Sequence, residues 1–198
     1  MRRLLSALRH EGGFTLLDLL ITCTLFVTLT AIAADQLSST VKHTSEIQED
    51  NVVQTQVRGA VDQLVEDLRG ASYGDTVTTP IEVATSNQIT FLSPDRQTPY
   101  HERRITYQLS SGKFQRSFSI SSNTGSPPWS FPQMAPWTIL FKNVTNSTVF
   151  GFQDATGTTT TNLAAIRRVT VTVTVNPPPN QGRQFTYQTS ATLRATSG

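Results

Sequence analysis

The chain has 198 residues, of which 37% are hydrophobic, so it has room for one membrane helix and one modest globular domain but not for two large domains. Its formal net charge is +2. Residues 1–13 contain three arginines and one glutamate, so the rest of the chain has 13 basic and 13 acidic residues. This balance gives no electrostatic basis for nucleic-acid binding, and we expect none.

The first predicted element is an apolar helix at residues 14–34, directly after the basic segment 1–13. About 20 apolar residues suffice to span a bilayer. Because arginines are retained on the cytoplasmic side, we expect a single-pass protein with residues 1–13 in the cytoplasm and the remainder outside it. Cys23 lies in the apolar run and is the only cysteine, so no intramolecular disulfide can form.

The junction between these two segments carries the motif Gly13-Phe14-Thr15-Leu16-Leu17-Asp18-Leu19-Leu20. Asp18 is its unusual member, because a carboxylate near the middle of a bilayer costs on the order of 3 kcal/mol. An ionisable residue within a membrane helix is by default a candidate functional residue.

This junction resembles the class III signal of type IV prepilins and type II secretion pseudopilins. In that signal a leader ends in glycine, and Phe-Thr-Leu, an aliphatic residue, Glu and Leu-Leu follow. Asp18 stands where the family has Glu, and the other positions match: Gly13, Phe14, Thr15, Leu16, Leu17, Leu19 and Leu20.

The resemblance implies a processing step at the inner membrane. A membrane aspartyl protease, the prepilin peptidase and N-methyltransferase, would cut between Gly13 and Phe14 and methylate the new amino group of Phe14. The resemblance also implies that Asp18 pairs with the N-terminal ammonium of a neighbouring subunit in a filament, where each buried charge removes the cost of the other.

Two other interpretations of the N-terminus remain open. Residues 1–34 also fit a secretory signal peptide cut after Ala31-Ile32-Ala33, which would release the rest of the chain into the periplasm. However, Asp18 would interrupt the apolar region of such a peptide, and the run exceeds the typical length of about 7–15 residues. The second alternative is an anchor helix that is never cleaved.

The same helix is predicted to continue to Gly70, because residues 15–69 contain no proline and only one glycine, Gly59. A helix from residue 14 to 70 would extend about 85 Å. Residues 35–51 are polar and fit either a solvated helix or, by the resemblance, a continuation of the filament core. Further on, hydrophobic residues at helical spacing predict a face that packs on a sheet: Val57, Val61, Leu64, Val65 and Leu68.

After Pro80 the hydrophobic pattern changes from helical spacing to alternation, which predicts antiparallel strands. Residues 169–175 alternate valine with threonine, so one face of that strand must be buried. The sequence therefore predicts an α+β fold. The predicted strands are residues 81–83, 89–92, 105–109, 114–120, 138–141, 149–152, 169–175 and 185–193, with a turn at 110–113 between the third and the fourth.

This order of elements also fits the type IV pilin-like fold, in which a long N-terminal helix packs against antiparallel sheet. The corresponding domains are a leader at 1–13, a transmembrane and filament-core helix at 14–34, its periplasmic continuation at 35–70, and a β-rich head at 71–198. Short phrases in the head resemble minor pseudopilins of the J type and related minor pilins: Arg104-Ile105-Thr106-Tyr107, Lys113-Phe114-Gln115-Arg116, Asn143-Val144-Thr145, Phe150-Gly151-Phe152, Ile166-Arg167-Arg168-Val169 and Ala191-Thr192-Leu193-Arg194.

The resemblance implies a structural protein, a minor subunit near the tip of a type IV pilus or a type II secretion pseudopilus. Its partners would be the prepilin peptidase, the inner membrane, and other minor and major pilins or pseudopilins. Its role would be filament assembly and protein secretion.

Residues 126–137, here called the aromatic loop, combine four prolines with Trp129, Phe131 and Trp137. One interpretation is a contact surface for a partner or cargo, since tryptophan is enriched at binding hot spots. The other is a rigid loop that folds its aromatic rings over the sheet. The first supports an alternative function for the whole chain, a membrane-anchored or secreted extracytoplasmic domain for binding or adhesion.

The sequence offers no paired nucleophile and base. It lacks H-E-x-x-H and a phosphate-binding glycine loop, and His43 and His101 stand alone. We therefore expect no enzyme and no cofactor. Asp154 near Gly157 is too little for a calcium loop, so no metal site is expected either.

Overall fold

The computed structural model describes residues 15–72, 79–95, 97–132, 134–176 and 183–193. It has an α+β layout with one long N-terminal helix followed by antiparallel strands. The elements are α1 (Leu16–Arg69), β1 (Ile81–Thr85), β2 (Gln88–Pro94), β3 (Glu102–Ser110), β4 (Lys113–Ile120), β5 (Thr138–Phe141), β6 (Phe150–Gln153), a 3-10 turn (Leu163–Ala165), β7 (Arg168–Val175) and β8 (Phe185–Thr192).

The long helix is confirmed as one element of 54 residues. It ends at Arg69, and the Gly70 N–H still donates to the Glu66 carbonyl at 3.1 Å. The chain nevertheless forms two compact units, Met1–Ile47 and Gln48–Gly198. The first contains the apolar part of α1, and the second contains the end of α1 with all the described strands.

The larger sheet of the second unit has five strands in the order β1-β2-β3-β4-β5, all antiparallel neighbours. The predicted hairpin is confirmed, with Ser110 opposite Lys113. Both residues of its two-residue turn have positive φ, 49° at Ser111 and 68° at Gly112. A type I′ turn requires this backbone, which suits the right-handed twist of the two strands.

The smaller sheet has three strands in the order β6-β7-β8. Its central strand is the predicted valine–threonine strand, and the four alternating valines are 0% exposed: Val169, Val171, Val173 and Val175. Strand β8 pairs with the whole of β7, and β6 pairs with residues 168–171. Along the rest of that second edge, the Thr145 N–H donates to the Thr174 carbonyl and the Thr172 N–H to the Val149 carbonyl, so the edge of this β-prone strand is bonded there as well.

The end of α1 and both sheets share one hydrophobic core. The predicted helical face is confirmed, since its five residues are at most 7% exposed: Val57, Val61, Leu64, Val65 and Leu68. At about 25 cal/mol per Å² of apolar area, burial of these side chains is the main force that holds the helix to the sheets.

One residue of the polar segment 35–51 departs from the solvated interpretation. Asp50 is only 8% exposed, and its Oδ2 lies 3.4 Å from Nη1 of Arg183, just before β8. Asp50 therefore belongs to the packed part of the helix, although its residue type predicts exposure.

Candidate functional site

The N-terminal motif meets the start of α1. Gly13 and Phe14 lie outside the described residues, and Thr15 directly precedes the first helical residue, Leu16. The backbone N–H of Asp18 donates to Thr15 Oγ1 at 3.2 Å. In return, the Thr15 N–H and hydroxyl donate to Asp18 Oδ2 at 3.2 and 2.8 Å.

This reciprocal pair is a capping box, in which two backbone donors of the first turn find side-chain acceptors. Asp18 also places a negative charge at the positive end of the helix dipole. The acid singled out by the sequence thus has a local partner within its own chain. The capping signal, a threonine three residues before an acid, is visible in the sequence and gives Asp18 a structural role in its own chain.

The first turns of α1 leave their hydrophobic side chains uncovered. The large hydrophobic residues from Leu16 to Ile32 are between 47% and 82% exposed, among them the motif residues Leu16, Leu17, Leu19 and Leu20. This part of α1 is long and apolar enough to span a membrane.

Four threonines in this apolar stretch direct their hydroxyls back to the helix. Thr22 donates to the Asp18 carbonyl at 2.7 Å, and Thr30 donates to the Phe26 carbonyl at 2.7 Å. Thr24 and Thr28 do the same to carbonyls three residues earlier, at 2.8 and 2.9 Å. The polar groups are therefore satisfied within the helix, as a low-dielectric surrounding demands.

The aromatic loop lies over the face of the larger sheet that is opposite to α1. The Ala135 N–H donates to the Phe118 carbonyl at 2.8 Å, and the Ser117 hydroxyl donates to the Ala135 carbonyl. Phe131 covers the Arg104 guanidinium, 4.2 Å from the ring centroid. Arg104 in turn forms a two-point ion pair with Glu82 at 2.7 and 2.9 Å.

The three aromatic residues of the loop differ in their surroundings. Trp129 and Phe131 are half-buried, and the Trp129 ring lies 5.7 Å from that of Tyr100. Trp137 is 42% exposed. Exposed apolar residues flank it along the chain, Met134 at 40% and Ile139 at 43%.

At the start of β3 lies a buried carboxyl group that sequence reasoning missed. Glu102 is 0% exposed, and its Oε2 accepts a hydrogen bond from the Tyr100 hydroxyl at 2.6 Å. Burial raises the pKa of Glu102 to about 7, against the smaller opposing effects of the Tyr100 hydrogen bond and the Arg103 charge. Tyr100 precedes β3, and no local pattern indicates that Glu102, the first residue of that strand, is buried.

A second missed group joins α1 to the larger sheet. Asp67 Oδ2 accepts from the Tyr107 hydroxyl at 2.8 Å and from Arg116 Nη2 at 3.1 Å. The pKa of Tyr107 is raised, first by burial and then by the Asp67 charge. On the other sheet, the Tyr187 hydroxyl donates to Asp62 at 3.0 Å at an exposed position.

Asp154 has a local role. Its Oδ1 accepts hydrogen bonds from the Thr156 N–H and hydroxyl and from the Thr158 N–H, at 2.8, 2.7 and 3.0 Å. The Thr156 hydroxyl is the main reason why the pKa of Asp154 is lowered. Within the ranges that the structure describes, no three His, Cys, Asp or Glu side chains come together as metal ligands.

No protein-family model matches this chain, and no curated protein matches it. Function has to be argued from the residues and the geometry above.

Proposed function

We propose that this chain is a structural subunit of a type IV pilin-like filament, a minor pilin or pseudopilin. In this proposal the prepilin peptidase removes residues 1–13 and methylates Phe14. The helix then anchors the subunit in the inner membrane, with the β-rich domain on the extracytoplasmic side. The subunit joins other minor and major pilins or pseudopilins, near the tip of a type IV pilus or a type II secretion pseudopilus, and serves filament assembly and protein secretion.

The observation that carries the proposal is the position of the prepilin-like motif at the start of a 54-residue helix. The motif leads into an apolar segment long enough to span a membrane, and one face of the last turns of the same helix packs on antiparallel sheets. An anchor segment continuous with the packing helix of the head is the arrangement that a pilin-like subunit requires.

The geometry of Asp18 supports its proposed pairing role. The described cap uses Oδ2, and the residue is exposed on the helix surface. A neighbour's N-terminal ammonium can therefore approach the carboxylate while the cap persists. In lipid, such a pair removes the cost of two isolated charges.

The first test is intact-mass spectrometry of the N-terminal peptide from the full chain, expressed together with a prepilin peptidase and extracted from membranes. We expect a chain that begins at methylated Phe14. A matched variant, Gly13→Leu, extracted from the same membranes should remain uncleaved and begin at Met1. The bulky side chain occupies the position at which the peptidase recognises glycine. A wild-type chain that begins at Ala34, or that keeps residues 1–13, would overturn the proposal.

The second test addresses assembly. Asp18→Ala should reduce cross-linking to neighbouring subunits in membranes that contain the filament machinery, and Asp18→Glu should preserve it. Asp62→Ala, which removes an exposed acid from the helix outside the apolar segment, is the control and should cross-link as wild type does. Equal cross-linking of wild type and Asp18→Ala would contradict the pairing role.

A membrane-anchored binding or adhesion domain is the second candidate, favoured by exposed Trp137 between exposed Met134 and Ile139. It predicts that Trp137→Ala abolishes binding while Asp18→Ala leaves it intact. The filament proposal predicts an assembly defect for Asp18→Ala, so the two variants distinguish the candidates.

A further inference from the structure

We propose that the carboxyl group of Glu102 is a proton-dependent latch that holds the aromatic loop on the larger sheet. The neutral carboxylic acid keeps the loop closed, and ionisation loosens it. This inference concerns the second compact unit alone and does not depend on the proposed filament function.

Three consecutive residues, 100–102, contact the aromatic loop at Trp129 and the segment 121–125 that leads into it. Tyr100 packs its ring on Trp129, and its carbonyl accepts from the Gly125 N–H at 3.4 Å. His101 Nδ1 lies 2.8 Å from the Ser121 carbonyl oxygen. The Glu102 backbone exchanges two hydrogen bonds with Ser121, at 3.0 Å to its hydroxyl and 2.8 Å from its N–H.

From Ser121 the connection continues into the loop itself. The Ser121 hydroxyl donates to the Asn123 carbonyl at 2.8 Å. The Asn123 amide then donates to the carbonyls of Ser126 and Pro128, and its oxygen accepts from the Ser130 N–H at 2.9 Å. A displacement at residues 100–102 is therefore passed to Trp129 through two routes, ring packing and this hydrogen-bonded chain.

Few groups around the Glu102 carboxyl group would stabilise its ionised form. Its Oε2 has the Tyr100 hydroxyl, but its buried Oε1 has no hydrogen-bond partner among the described residues. A buried carboxylate whose Oε1 has no hydrogen-bond partner loses the hydration of its charge without replacement. The neutral acid also buries an unpaired polar group, but its desolvation cost is much smaller than that of the anion.

The charged and titratable groups around Glu102 offer little compensation. Arg103 is committed to the Pro94 carbonyl at 3.2 Å and to Asp95 at 3.6 Å. Tyr100 and His101 are adjacent titratable residues, and Arg104, two residues further along β3, is held by Glu82 at 2.7 and 2.9 Å. The aromatic loop and residues 121–125 contain no Asp, Glu, Lys, Arg or His, so the cover provides no countercharge.

The direction of the pH effect follows from the pKa of Glu102, which burial raises from 4.5 to about 7. Between these values the folded protein holds a proton that the unfolded chain has released. Raising the pH through this window therefore removes stability from the closed loop, and the loss is complete above about pH 7.

The experiment uses Trp129 as the only tryptophan, in the full chain with Trp137→Phe in detergent micelles. Acrylamide quenching of Trp129 is measured from about pH 5 to about pH 9. We expect the quenching constant to rise roughly twofold as the loop opens, because local openings expose side chains without global unfolding. Glu102→Gln, neutral at every pH, should give a flat titration at the low quenching level.

Two further variants separate the latch from its neighbours. His101→Gln should keep the transition. Tyr100→Phe keeps the ring but removes the hydrogen bond that favours the anion, so the midpoint should shift to higher pH. A flat titration of the parent, a transition retained in Glu102→Gln, or one abolished by His101→Gln would each overturn the proposal. An unshifted midpoint in Tyr100→Phe would do so even if Glu102→Gln failed to fold.

Discussion

The two halves of α1 treat their hydrophobic residues in opposite ways. From Leu16 to Ile32 every large hydrophobic residue is at least 47% exposed, whereas from Val57 to Leu68 each is at most 7% exposed. The early segment is apolar around its whole circumference, and the later segment has one apolar stripe. Continuous helical backbone therefore does not imply one mode of stabilisation. Intramolecular packing stabilises the later half, whereas the exposed apolar residues of the earlier half require an apolar environment around the molecule.

The largest expected effect comes from truncating a core side chain of the later half. Leu64→Ala removes a side chain that is 0% exposed and should lower the free energy of unfolding of the second unit by about 2–5 kcal/mol. Leu20→Ala, at 56% exposure, is the matched control and should leave it unchanged. Urea unfolding of both variants in detergent, followed by near-ultraviolet circular dichroism, measures the difference. Equal effects would show that the two halves are not energetically distinct.

The polar contacts of the buried half allow a finer test. Asp67→Ala leaves the buried Tyr107 and the partly buried Arg116 without their common acceptor, and should cost about 2 kcal/mol. Asp62→Ala breaks only the exposed bond to Tyr187 and should stay within about 0.5 kcal/mol of wild type. Urea unfolding again measures the difference. A larger loss of unfolding free energy for Asp62→Ala than for Asp67→Ala would contradict this prediction.

The exposed half has its own local determinant, the capping box. Thr15→Ala should destabilise the first turn of α1 by about 1 kcal/mol, and hence speed amide exchange there about fivefold. The exchange of β7 in the second unit should not change. Thr15→Ser, which keeps the hydroxyl, is the control. If Thr15→Ala leaves the first-turn amides as slow as in wild type, the cap does not stabilise the helix.

The smallest expected effect is a gain. Gly59 is exposed within the later half of α1, and a Cβ there would meet nothing within 4 Å. Gly59→Ala should raise the free energy of unfolding by about 0.5–1 kcal/mol through helix propensity alone. A thermal melt that shows destabilisation would reveal a close contact at this position.

Much of the fold could be predicted because its signals are local. The stripe from Val57 to Leu68, the valine–threonine strand and the hairpin turn at Ser111 and Gly112 each lie within one short segment. Their burial follows from one periodicity, so the strand and helix predictions were confirmed with bounds that differ by a few residues.

The parts that sequence could not provide depend on distant contacts. Alternation in β3 predicts one buried face with Ile105 and Tyr107, yet Thr106 on the opposite face is also only 3% exposed. No local pattern in β3 indicates that this second face is covered as well. Glu102 and Asp50 were missed for the same reason, because their burial is decided by other segments.

The two tyrosine–aspartate contacts of α1 have a mechanical consequence. Asp62 and Asp67 are five residues apart, which separates them by about 140° around a helix that turns 100° per residue. One is bonded to β8 in the smaller sheet and the other to β3 in the larger. The segment of α1 in the second unit is thus restrained against rotation about its own axis from two directions. Any twisting force on that segment reaches both sheets together.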